Sequence, residues 1–139
     1  MPIREEDKTM QFMLITHATK DSEAGVPPSP ELISVIGQLA EDGYKSGKIV
    51  ATGGLLPSKA GVRMKLAGGK ITATDGPFTE SKEIIGGFAI ANLASREEAL
   101  EMCRNFMNLH AQVLGPSYEM SCEVRPMFEP GGPCPGLDH

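Results

Sequence analysis

Two stretches of helical periodicity, each opened by a serine cap, are set among short segments in which side chains alternate, and that order leaves few folds open. In the first, Ser29-Pro30-Glu31 supplies an N-cap, a proline at the first helical position and an acidic residue suited to the helix dipole, ahead of an apolar stripe of Leu32, Val35, Ile36 and Leu39. Glycines and lysines between Gly43 and Lys48 mark its end. In the second, Ser95-Arg96-Glu97-Glu98 reads as a capping box, with Ala99, Leu100, Cys103, Phe106 and Met107 as the buried stripe. Strand patterns occupy residues 9 to 17, Ile49 to Leu56, Ile84 to Leu93 and Met120 to Arg125. Val62 to Leu66 and Ile71 to Thr74, joined at Gly68-Gly69, predict a hairpin, and Asp21 to Pro30 reads as a loop. Strand, helix, strand, hairpin, strand, helix, strand is the order of an α+β domain. It predicts a ferredoxin-like split βαβ with both helices on one face of an antiparallel sheet, plus an extra hairpin. The other face, carrying Met13 and Ile15, is too apolar for open water, and a homodimer through that face is the expected remedy.

The chain of 139 residues suits one domain over 9–128, with a charged extension at 1–8 and a Pro/Gly-rich tail at 129–139. Thirteen basic residues against eighteen acidic ones are scattered, not striped, which argues against nucleic acid as a direct partner. No run approaches the roughly 18 apolar residues of a membrane span, and the charged start does not suit a secretion signal, so a cytoplasmic protein away from membranes is expected. Cys103, Cys122 and Cys134 sit in a helix, a strand and the tail, and read as free thiols. With His17, His110 and His139 far apart and Cys-x-x-Cys absent, the residues imply no metal or other cofactor.

The segment most suggestive of chemistry is Asp75-Gly76-Pro77-Phe78, followed by Lys82-Glu83 and Gly86-Gly87-Phe88. Proline and glycine shape this turn, and several ionisable groups crowd it. Together with Gly53-Gly54-Leu55, Glu98-Ala99 and Glu123-Val124-Arg125-Pro126, the pattern resembles the YCII-related family, specifically its DGPF subgroup, over about Met10 to Met127. The resemblance implies a dimeric α+β barrel of ferredoxin-like halves, similar in shape to muconolactone isomerase-like proteins, with an enzyme-like cleft. It also implies, for some relatives, an association with extracytoplasmic-function sigma factors. The wider family's suggested site is a histidine with an aspartate. Asp75 matches the aspartate, while the first helix has no histidine, which leaves His17 at the end of the first strand as the substitute.

On this reading Asp75 and His17 are the candidate catalytic pair of a cofactor-free enzyme that moves a proton on a small polar or anionic molecule, as an isomerase, lyase or hydrolase. Arg63, Lys82 and Arg125 would hold negative charge, and Gly53, Gly54, Gly87 and Phe78 would shape the binding cleft near the loop. A non-catalytic module that binds a small molecule or a protein, linked to sigma-factor regulation, remains an alternative, as does a plain assembly protein. Each residue also has a structural reading: His17 as a polar strand end, Arg63 as part of a solvated strand face, Asp75 as the cap of its own turn. Ser121, Glu123 and Arg125 share one face and line either a dimer cavity or its wet rim.

Overall fold

The computed structural model describes residues 9–79 and 84–129. The expected 1–8 extension, Lys82 and Glu83 of the loop, and Cys134, His139 and the tail beyond Glu129 lie outside the described residues. Strands β1 (Met10–His17), β2 (Ile49–Gly54), β5 (Ile85–Leu93) and β6 (Cys122–Pro126) form a four-stranded sheet in the order β2-β5-β1-β6. Each paired neighbour is antiparallel. Strands β3 (Val62–Ala67) and β4 (Lys70–Asp75) form a separate two-stranded ribbon. Helices α2 (Pro30–Ser46) and α3 (Arg96–Leu114) pack on the sheet and on each other. This is the ferredoxin-like α+β arrangement with an added hairpin that the order of periodicities predicts.

Local chemistry sets the helix limits. The Ser29 hydroxyl accepts from the Leu32 N–H at 3.2 Å, and α2 ends at Gly47, whose φ of 78° is left-handed and whose N–H reaches the Tyr44 carbonyl. At α3 the Ser95 hydroxyl accepts from the Glu98 N–H at 3.1 Å. The return half of the expected capping box differs: the Glu98 carboxylate takes the Ala94 N–H at 3.4 Å and the Lys48 ammonium at 3.1 Å. The lysine just before β2 holds one oxygen of the carboxylate, away from the serine's own N–H. A further difference falls in the expected loop at Asp21, where Lys20–Glu23 forms a short helix, α1. Thr19 and Ser22 cap each other there, and so few residues leave no helical periodicity to read.

Phe12, Leu14, Ala91, Leu93, Ala99 and Cys103 make the core between the sheet and α3. Burying Phe12 and Leu93, at 2% and 1% exposure, is worth roughly 2–3 kcal/mol each. Register then fixes the opposite face. Leu14 pairs with Ala89 toward the helices, so Ile15 and its partner Phe88 point away from them, as do Met13 and Ile90. The ribbon is amphipathic as well. Val62, Met64, Leu66, Ile71 and Ala73 share one side, and the four larger of these are 55–71% exposed.

Candidate ligand cavity and histidine–carboxylate pair

Between the helices and the sheet lies a cavity of about 460 Å³. Its walls are largely apolar: Leu14 and Ala89 from the sheet, Ile36 and Leu39 from α2, Phe106 from α3. Its polar groups are few, among them Thr16, Thr52, Tyr118, His17 and His110. A concave apolar space of this size with a small number of polar groups is what small-molecule sites look like. His110 is buried and bonds through Nδ1 to the Phe106 carbonyl at 2.9 Å, which fixes it as a packing residue of the wall. Tyr118 stacks on His110, with ring centroids 6.1 Å apart. Burial, with Asp21 and Cys122 close by, raises the Tyr118 phenol above its ordinary pKa and keeps its hydroxyl protonated.

His17 stands at the edge of this cavity, where β1 shifts register against β5 between Thr16 and His17. Its Nε2 lies 2.9 Å from Glu123 Oε1 and its Nδ1 2.8 Å from Ser121 Oγ. A carboxylate can only accept, so Nε2 carries the hydrogen and Nδ1 is left to accept from the Ser121 hydroxyl. The His17 side chain is 15% exposed and Glu123 46%, so the pair is half sheltered. The result is a hydroxyl, an imidazole and a carboxylate in series on the face of the sheet that the helices leave open.

The other expected site residues fall into two groups. Gly53, Gly54 and Gly87 line the cavity, but for different reasons. A Cβ on Gly53 would sit 2.8 Å from the Phe88 ring, and one on Gly87 would sit 3.0 Å from the Gly53 carbonyl, so both are small because the protein itself fills the space. A Cβ on Gly54 would meet nothing within 4 Å. Asp75, Arg63, Phe78 and Arg125 are not part of the cavity lining. Asp75 ends β4 opposite Val62 and is exposed, and both ring nitrogens of His17 are bonded to β6 residues instead of to it. The Arg63 guanidinium lies 4.1 Å above the Phe78 ring, and Arg125 is exposed opposite Met13. Lys82 lies outside the described residues.

The Asp75–Phe78 turn is fastened to the fold. Buried Ser58 donates its hydroxyl to one Glu23 carboxylate oxygen at 2.5 Å and its N–H to the other at 2.8 Å, while its Oγ accepts from the Phe78 N–H at 2.9 Å. Gly76 donates its N–H to the Gly61 carbonyl and presses against the Ser58 backbone. Pro77 follows it through a cis peptide bond. Glu23 closes α1, whose N-cap Thr19 and third residue Ser22 line the cavity, so the turn reaches the site through this latch.

Alternation over Met120 to Arg125 puts Ser121 and Glu123 on one face but does not bring them to His17. Their cross-strand pairing is set by the β1–β6 register, which alternation along a single strand does not reveal. Among the described residues, no group of three His, Cys, Asp or Glu side chains is placed to hold a metal ion, and no helix is long and apolar enough to cross a membrane.

Fold and site together define a ferredoxin-like α+β protein with an internal cavity and a histidine–carboxylate pair at its edge. The YCII-related domain matches residues 10–114, and the chain belongs to the YCII-related family. It is 35% identical over 89 residues to an uncharacterised protein of Rhizobium meliloti (strain 1021), a match covering 63% of this chain and 67% of that relative.

Proposed function

We propose that this chain is a cofactor-free enzyme of the DGPF branch that transfers a proton on a small molecule held in the cavity, with His17 as the base. The observation that carries this reading is His17 at the cavity edge, its two ring nitrogens bonded to Ser121 and Glu123. His17, the member of the series that lines the cavity, takes the ligand's proton at Nδ1 as the Ser121 hydroxyl gives up its bond there, and the Glu123 carboxylate stabilises the imidazolium that results. The apolar walls favour a polar or anionic ligand that also carries an apolar body, such as a carbonyl compound with an acidic C–H. Asp75 and the Arg63–Phe78 stack take part in this reading only where a second copy closes over the ribbon.

The test is to screen small carbonyl compounds by thermal shift and to follow deuterium uptake from D₂O into those that bind. His17→Gln is expected to slow that uptake by about a hundredfold or more while the fold is retained. Bound ligands that never exchange, or that exchange equally in His17→Gln, would leave a non-catalytic binding module, with the sigma-factor link as its context.

We further propose that two copies pair through the open sheet face and the apolar side of the ribbon. What supports this is the run of exposed Val62, Met64, Leu66 and Ile71 on the ribbon, together with half-buried Met13, Phe88 and Ile90 on the open sheet face. Sedimentation is expected to give a dimer for the unaltered chain and a monomer for Met64→Glu/Leu66→Glu. Since both side chains are exposed in the single chain, the double variant should keep its helical circular dichroism. A monomer before substitution would refute the pairing.

A further inference from the structure

Cys103 of α3 and Cys122 of β6 come from the two layers of the fold and both line the cavity between them. Cys122 packs against the core cluster that contains Cys103, and both are free thiols. Cys103 is 8% exposed, so the route to its sulfur is the cavity itself. The proton-transfer reading uses neither sulfur.

The groups around the pair are few. Met107 of α3 lies 3.9 Å from the Cys103 sulfur, and the Thr16 hydroxyl of β1 lies 3.9 Å from that of Cys122. Arg104 is the charged neighbour on the same helix, and His17, His110 and Tyr118 are the titratable groups elsewhere in the cavity wall. The influence of the Cys122 thiol, helped by Arg104 and opposed by burial, lowers Cys103 to about 7, while Cys103 and burial together push Cys122 upward. One sulfur of the pair is therefore an available nucleophile near neutral pH, and the other keeps its proton.

We propose that Cys103 and Cys122 are a redox dithiol that a small hydroperoxide, entering through the cavity, converts to an intramolecular disulfide tying α3 to β6. The Cys103 thiolate attacks one peroxide oxygen and the O–O bond breaks. This leaves a sulfenic acid on Cys103 and a hydroxide that takes a proton to become water. The Cys122 sulfur then attacks the sulfenic sulfur as its thiol proton is lost. The S–S bond forms, the S–O bond breaks, and the departing oxygen leaves as a second water. Two thiols are oxidised by two electrons in all, and one hydrogen peroxide is reduced to two waters.

The test treats the full chain with a slight excess of hydrogen peroxide, blocks remaining thiols under denaturing conditions and maps the products by mass spectrometry. A peptide pair joined through Cys103 and Cys122, lighter by two hydrogens and restored by dithiothreitol, is expected in the unaltered chain and in Cys134→Ser. In the reduced protein, the rate of Cys103 alkylation by iodoacetamide should rise with a midpoint near pH 7. A disulfide involving Cys134, stepwise oxidation of one cysteine to its sulfinic acid without a partner, or two thiols that stay alkylatable would each overturn the proposal.

Discussion

Gly76→Ala is expected to cost about 3 kcal/mol of stability, which for a chain of this length lowers Tm by roughly 10 °C. The added Cβ would overlap the Ser58 carbonyl oxygen and lie 2.6 Å from the Ser58 carbonyl carbon. Both atoms are backbone, so no side-chain rotation can relieve the contact. Either the turn or the segment at Ser58–Ala60 has to move, and the segment is held by the Ser58 bonds to Glu23 and Phe78. Losing those bonds leaves buried polar groups unsatisfied, which is why the cost exceeds that of a simple misfit. Ser58→Ala separates the two effects, because it removes the hydroxyl bonds without crowding. It should cost about 1–3 kcal/mol. Chemical denaturation of both variants gives the comparison. A Gly76→Ala protein as stable as its parent would mean that the turn is free of Ser58, and the latch would have to be abandoned.

That result bears on how the Asp75–Phe78 string should be read. Its spacing suggests a seat of chemistry, yet its contacts have a mechanical role: the Gly76 backbone approaches Ser58, the Phe78 N–H donates to Ser58, and the Phe78 ring packs under Arg63. The carboxylate of Asp75 stays exposed. The order of elements was legible because helices and strands leave local periodicity, and the serine caps at Ser29 and Ser95 set where each helix begins. The Cys122–Val124 side of β6 could be told from its Ser121–Glu123 side for the same reason. What brings Ser121 and Glu123 to His17 is pairing between β1 and β6, more than a hundred residues apart in the chain, and nothing local records it. The cavity was equally hidden, because it is a gap between layers and not a property of any one segment. Only the glycines hint at it, and their hint is mixed: Gly53 answers to the Phe88 ring and Gly87 to the Gly53 carbonyl, whereas at Gly54 nothing stands in the way.

Gly37→Leu and Gly54→Val are expected to abolish ligand binding in the cavity without weakening the protein. Gly37 lies inside α2 and Gly54 at the end of β2, and both line the cavity with nothing within 4 Å of the position a Cβ would take. A glycine inside a helix or strand costs roughly 0.5–1 kcal/mol relative to alanine because it stiffens more on folding. Where no neighbour demands it, replacement should therefore leave stability unchanged or raise it by up to about 1 kcal/mol. A protein shaped by packing alone has no use for two such positions around one opening. Space kept open for a ligand gives them a purpose, and the larger side chains at 37 and 54 would occupy it from the helix side and the sheet side respectively. In thermal-shift and deuterium-exchange measurements with a compound that the unaltered chain binds, both variants should lose the response entirely while melting at or above the parental temperature. Variants that bind as before would show that the ligand sits elsewhere, and the open face with Ser121 and Glu123 would become the place to look. Variants that unfold would show instead that the space at Gly37 and Gly54 is already taken up in solution.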